Sequence, residues 1–194
     1  MHADQTQNDG LPKRKFIRWQ GYDYTSCGLY FITMVAYHRQ HLFGHITDGK
    51  MMPSDIGRMV QQCIETLSNR FSKVEINDWV VMPNHLHLII TNEGNTYVPE
   101  IIRQLKAMTS YQYHKLTPNT AGSSLWQRNY YDRVIRDERE YNFVRNYIFC
   151  NPERWEQDQL NNLSQATDFD DIGLMLHQIQ LRKDFNPTDY FTRK

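Results

Sequence analysis

Val80-Val81-Met82-Pro83-Asn84-His85-Leu86-His87-Leu88-Ile89-Ile90 decides how this chain is read. Apolar and β-branched residues run into a Pro-Asn pair and resume directly after it. Pro-Asn marks a tight turn. Val74 to Met82 therefore reads as one strand, and His85 to Thr91 as a second running back beside it. Alternate strand residues share a face. His85 and His87 project together, while Leu86, Leu88 and Ile90 face the opposite way into a core. Two imidazoles on one face can chelate a metal ion. They can equally be satisfied polar residues on a half-exposed sheet, and the pair alone does not decide.

Upstream, Leu29 to Tyr37 is rich in aromatic and β-branched residues and reads as a buried strand. Pro53-Ser54 opens a helix, with Ser54 as N-cap. Ile56, Met59, Val60, Cys63, Ile64 and Leu67 form its single apolar stripe. Downstream, Val98, Ile101, Ile102, Leu105 and Met108 mark a second helix, ending before Pro118. Residues 125–135 contain a fourth strand. Asp137 to Asn151 reads as a third helix, stopped by Pro152. The order β-α-β-β-α-β-α predicts an α+β fold. It is a ferredoxin-like split βαβ arrangement, with an antiparallel sheet and helices on one face. Residues 1–10 read as a disordered leader, 11–155 as the folded domain and 156–194 as an acidic C-terminal extension. That extension holds one more helical stretch, about Ile172 to Leu181.

Composition limits what such a domain can be. The chain has 194 residues, 40% of them hydrophobic and 13% aromatic, enough for a real core and unlike a disordered chain. No run approaches the roughly 18 apolar residues of a membrane span, so no membrane partner is expected. Lys+Arg and Asp+Glu are 22 each, a neutral balance that counts mildly against nucleic-acid binding. The distribution is uneven, however. Residues 153–194 hold five Lys/Arg against eight Asp/Glu, a net −3, which leaves residues 1–152 at +3. Cys27, Cys63 and Cys150 are scattered and odd in number, which reads as reduced thiols of a cytoplasmic protein.

Two further segments carry chemistry-bearing residues. In Arg145-Asn146-Tyr147-Ile148-Phe149-Cys150-Asn151-Pro152, Tyr147 and Asn151 lie one turn apart on one helix face. Tyr141, Val144 and Ile148 form a different, core-facing stripe. The pair can present a hydroxyl beside a metal-ligating oxygen, or be an amphipathic tyrosine with a capping amide. In Leu125-Trp126-Gln127-Arg128-Asn129-Tyr130-Tyr131-Asp132-Arg133, aromatics alternate with arginines. That suits stacking on unpaired bases and pairing with phosphates. It equally suits a half-buried strand with a charged outer face.

Taken in order, Met82-Pro83-Asn84-His85-Leu86-His87, Leu125-Trp126-Gln127-Arg128-Asn129-Tyr130-Tyr131-Asp132 and Tyr147-Ile148-x-x-Asn151-Pro152 resemble the REP-associated tyrosine transposases. These belong to the single-tyrosine branch of the HUH superfamily. Tyr24-Thr25-Ser26-x-Gly28-x-Tyr30-Phe31-Ile32-Thr33 resembles the family's first strand, and the likeness covers about residues 12–155. The resemblance implies a metal-dependent single-stranded DNA endonuclease and strand transferase. It would act beside palindromic hairpins through a 5′-phosphotyrosine. Tyr147 would be the nucleophile, and His85, His87 and Asn151 the ligands of Mg²⁺ or Mn²⁺. Lys13, Arg14, Lys15, Arg103, Lys106, Trp126, Arg128 and Arg133 are the candidate DNA contacts. A monomer or homodimer is expected. The alternative is a domesticated hairpin-binding protein without significant cleavage.

Overall fold

The computed structural model describes residues 22–118, 122–158 and 160–161. The proposed leader 1–10, the basic cluster Lys13-Arg14-Lys15 and the helical stretch near Ile172 to Leu181 lie outside the described residues.

Four strands form the central sheet: β1 (Gly28–Val35), β4 (Val74–Val81), β5 (His85–Asn92) and β6 (Tyr131–Ile135). Their order is β4-β5-β1-β6 and every neighbouring pair is antiparallel. Helix α1 (Asp55–Leu67) carries the chain from β1 to β4, and β5 then folds back into the gap between them. Helix α2 (Val98–Leu116) carries it from β5 to β6, on the far side of β1. The architecture is the split βαβ arrangement expected from the element order.

Period-two alternation gives this sheet two interiors. Tyr30, Ile32 and Met34 of β1, with Leu86, Leu88 and Ile90 of β5, pack under α1 and α2. Phe31 and Val35 of β1, with Ile89 of β5, pack instead against Phe143, Val144 and Ile148 of α3 (Glu138–Cys150). The two crossover helices share one face, as expected. The third helix does not join them and covers the opposite face. The reason is in β1 and β5, which are apolar at both odd and even positions, so neither face can be left to water.

Ser54 caps α1 as its sequence position suggests, its Oγ accepting from Gly57 N at 3.0 Å and donating to Leu42 O at 2.7 Å. The segment before it, unassigned in the sequence reading, is a hairpin of β2 (Gly44–Thr47) and β3 (Lys50–Pro53). Its strands are only four residues long, too short for the alternation that reveals a strand. Strand β4 is bulged between Ile76 and Asp78, where Asn77 has no partner across the ladder. After α3 a 3-10 turn, Pro152–Gln157, buries Trp155, and Leu160 joins the α3-side core. The boundary expected after residue 155 falls inside this packed strap.

Gly57 lets α1 lie directly against the backbone of Phe43. A Cβ there would lie 2.0 Å from the carbonyl oxygen of Phe43. Alanine gains up to about 1 kcal/mol of helix propensity, but overpacking costs roughly 1–3 kcal/mol. Gly57→Ala should therefore lower stability in urea unfolding; a stabilised variant would show that α1 can shift freely away from Phe43.

Candidate active site

The site lies between β5 and α3. His85 and His87 are both fully buried, not half exposed, on the sheet face covered by α3. Their rings pack edge to face at 4.6 Å between centroids. Phe31 stacks on His87 at 5.3 Å, and Trp155 lies 6.0 Å from His85.

Each histidine has one nitrogen held by a neighbour. Asn84 Nδ2 donates to Leu160 O at 2.7 Å and to Arg39 O at 3.2 Å. Both partners are carbonyls, so the amide orientation is fixed and Asn84 Oδ1 must be the atom facing His85 Nδ1 at 2.8 Å. His85 Nδ1 is then the protonated nitrogen, and Nε2 carries a bare lone pair. That Nε2 is buried and has no hydrogen-bond partner among the described residues. His87 Nδ1 lies 2.8 Å from Thr33 Oγ1, across the β1–β5 pair. Burial lowers the pKa of both rings, with help at His85 from His41 and Arg39, and at His87 from His85. His85 is pushed down to about 3. Both rings are neutral imidazoles near neutral pH, the form that ligates metals.

Helix α3 brings Tyr147 over this pair. Asp137 caps the helix, its Oδ1 accepting from Glu140 N at 2.7 Å. Asp78 on β4 accepts from Tyr141 Oη at 2.9 Å and Arg145 Nε at 3.1 Å. Arg133 on β6 pairs with Glu140. Held at three strand and loop positions, α3 sets Tyr147 Oη 3.3 Å from His87 Nε2. Asn151, one turn on, is buried at the helix end, and its Oδ1 has no hydrogen-bond partner among the described residues. Val144 and Ile148 face the core as their stripe predicts, whereas Tyr141 is half buried and binds Asp78.

The sequence reading missed Asp158. One atom each from His85, His87 and Asp158 lie within 4.8 Å of one another. No local pattern marks Asp158, since it follows the helix-stopping Pro152 and belongs to no periodic element.

Residues 23–151 match the family described as "Transposase IS200 like". The chain belongs to this family. An uncharacterised protein of Haemophilus influenzae is 38% identical over 175 residues, covering 79% of this chain and 96% of that protein. The REP-associated tyrosine transposase of Escherichia coli is 32% identical over 79 residues, 40% of this chain and 44% of that one. A solved REP-associated tyrosine transposase bound to a REP hairpin shares the fold, with a TM-score of 0.55 over 88% of each chain at 19% identity.

The structure redistributes the proposed DNA contacts. Trp126 is 5% exposed, packs on Phe43 and donates from Nε1 to Thr109 Oγ1 at 2.8 Å. It has no free face for a base and is a core residue. Lys106 donates to the carbonyls of Gln127, Arg128 and Asn129 at 2.8, 3.1 and 3.0 Å, so it closes a loop end. Arg133 is largely buried against Glu140. Arg128 is exposed, and Arg103 is exposed while forming a two-bonded pair with Glu100. No helix among the described residues is long and apolar enough to cross a membrane.

Asn84 predicts its own test. Asn84→Ala strips a donor from Leu160 O and an acceptor from His85 Nδ1. Stability should fall by roughly 1–3 kcal/mol for each buried group left unpaired. Urea unfolding of the variant measures this, and an unchanged midpoint would mean that water replaces the amide.

Proposed function

We propose that this transposase-family protein nicks and rejoins single-stranded DNA beside a palindromic hairpin, using Tyr147 as nucleophile and a divalent cation, Mg²⁺ or Mn²⁺. The observation that carries the reading is the Tyr147 hydroxyl at 3.3 Å from Nε2 of a buried, neutral histidine pair.

The residues fit a cation. His85 Nε2 and Asn151 Oδ1 are buried ligand atoms with no hydrogen-bond partner among the described residues, an arrangement that costs free energy unless something binds there. Asn84 fixes the His85 tautomer with its lone pair turned away from the amide, the usual device for presenting an imidazole to a metal. His85, His87 and Asn151 would hold the ion. When bound, it would offset negative charge growing on the phosphate oxygens.

The chain's own residues do the remainder. Tyr147 Oη forms the bond to phosphorus, and the bond from phosphorus to the neighbouring nucleotide's 3′ oxygen breaks. The phenolic proton is lost and the leaving oxygen gains one to become a 3′-hydroxyl. A tyrosine hydroxyl titrates near pH 10 (roughly), far below an aliphatic alcohol, so the phenolate is within reach. The 5′-phosphotyrosine keeps a phosphodiester bond, so a second 3′-hydroxyl can reverse the step and join strands. Helix α3 positions the nucleophile, because its three anchors leave Tyr147 little freedom to leave the histidines. Arg128 and Arg103 are the exposed described cations proposed to meet phosphate, with Lys13, Arg14 and Lys15 beyond the described residues.

Incubation with hairpin-flanked single-stranded DNA and Mn²⁺, followed by a denaturing gel, tests the reading. Tyr147→Phe should abolish the covalent adduct and leave hairpin affinity near wild type. An adduct that survives this change assigns the nucleophile elsewhere. His85→Ala combined with His87→Ala should also abolish the adduct; cleavage at wild-type rate would show that the imidazoles are structural only. A wild-type protein that binds the hairpin but never forms an adduct would instead support the binding-only alternative.

A further inference from the structure

The buried carboxylate of Asp158 stands out once the histidines are assigned. Its side chain is 7% exposed. Oδ1 accepts from Leu160 N at 2.7 Å, which turns the second oxygen, Oδ2, toward His85 Nε2 at 3.8 Å. That distance is too long for a hydrogen bond and short enough for two atoms to share one ion. Among the described residues no Lys or Arg forms an ion pair with Asp158. Its nearest ring, His85, is neutral. A buried, ionised carboxylate is unfavourable unless a cation offsets it. Burial raises the Asp158 pKa, opposed by His87, the Leu160 N–H, the Asn151 side chain and, least, the charge of Arg39.

The backbone that carries Asp158 is fixed, which distinguishes it from a surface carboxylate that happens to fall nearby. Leu160 is buried in the α3-side core, and its carbonyl accepts from the same Asn84 amide that orients His85. Trp155 is buried beside both His85 and His41, with ring centroids at 6.0 and 5.4 Å. Asn161 Nδ2 donates back to Trp155 O at 3.0 Å. One amide thus sets the imidazole and the strap in common register.

We propose that Asp158 is an anionic ligand of the cation held by His85 and His87, so that the segment after Pro152 completes the metal centre. Two imidazoles and one carboxylate form a recurrent set for Mn²⁺ and Fe²⁺, and each added anionic ligand tightens a divalent site. The inference rests on the cation reading of the two histidines. It adds that the strap is part of the centre and that the centre carries its own negative charge before DNA arrives.

The test uses the full chain, first without DNA and then in the adduct assay with hairpin-flanked single-stranded DNA. Mn²⁺ is titrated and the free ion followed by its electron paramagnetic resonance signal, alongside melting curves with and without Mn²⁺. Asp158→Asn keeps the acceptor for Leu160 N and removes the charge. It should weaken Mn²⁺ affinity by at least about tenfold. It should also raise the melting temperature without metal and lose most of the rise that Mn²⁺ gives wild type. A residue with only a structural role would not produce that crossing. Asp158→Ser serves as a second variant should the first fold poorly. Wild-type Mn²⁺ affinity in Asp158→Asn, with affinity lost in His85→Ala/His87→Ala, overturns the Asp158 assignment alone. Unchanged Mn²⁺ affinity with faster adduct formation also overturns it, since the carboxylate would then occupy the place of substrate. Wild-type affinity in the double histidine variant overturns the cation reading itself.

Discussion

The two-sided burial of β5 is the constraint on which the rest depends. Its even-numbered residues Leu86, Leu88 and Ile90 belong to the interior under α1 and α2, and its odd-numbered residues belong to the interior under α3. Histidines at 85 and 87 are therefore forced into a dry environment. Desolvation keeps them neutral, and neutrality is what would let them act as ligands. A sheet with one face open to water would hold the same two residues as solvated, partly protonated side chains. Covering the second face with the helix that bears Tyr147 closes the pair off from water and brings the Tyr147 hydroxyl to it in one step of packing.

Asn84 extends this constraint across the chain. Its amide touches a carbonyl from the loop after β1, a carbonyl from the strap after α3 and the ring of His85. These segments are far apart in sequence. The loop it meets is itself unusual, since His38 and Arg39 both adopt left-handed backbone conformations, with φ of 53° and 54°. Such residues carry a local cost of order 1–3 kcal/mol each and persist where surroundings hold them. Here the Asn84 donor to Arg39 O is one of the holds.

Much of this fold is legible in the sequence. The apolar, β-branched run across residues 74–90, broken by Pro83-Asn84, gives the central hairpin, and the stripe from Ile56 to Leu67 gives α1 with its Ser54 cap. The side chosen by α3 is also encoded, in the unbroken apolar run of β1, but pattern reading by element order alone passes over it. The hairpin at 44–53 is too short to show a period. In the site, His85, His87, Tyr147 and Asn151 come from the motifs, and the structure brings them together. Asp158 and the clamping role of Asn84 do not come that way, because they depend on contacts between segments with no shared periodicity. Trp126 and Lys106 mislead for the opposite reason. An aromatic and a cation within a mixed stretch look like nucleic-acid contacts, until their indole nitrogen and ammonium protons are traced to Thr109 and to loop carbonyls.

The bulge in β4 has a consequence for how tolerant this chain is of small insertions. Before it, Val74 and Ile76 point toward the crossover helices; after it, Trp79 and Val81 do so, and Asp78 and Val80 point toward α3. The extra residue, Asn77, changes the parity of the strand midway. Even-numbered positions serve the crossover layer in the first half and the other layer in the second. Without that change, Asp78 would sit among Leu88 and Ile90 and Trp79 would lie under α3. Strand β4 is thus two half-strands in opposite phase, and the unit that must be preserved is the spacing from Asn77 to the carboxylate that holds Tyr141 and Arg145. Length variation in the first half, ahead of the phase change, would leave the anchorage of α3 and its Tyr147 where it is.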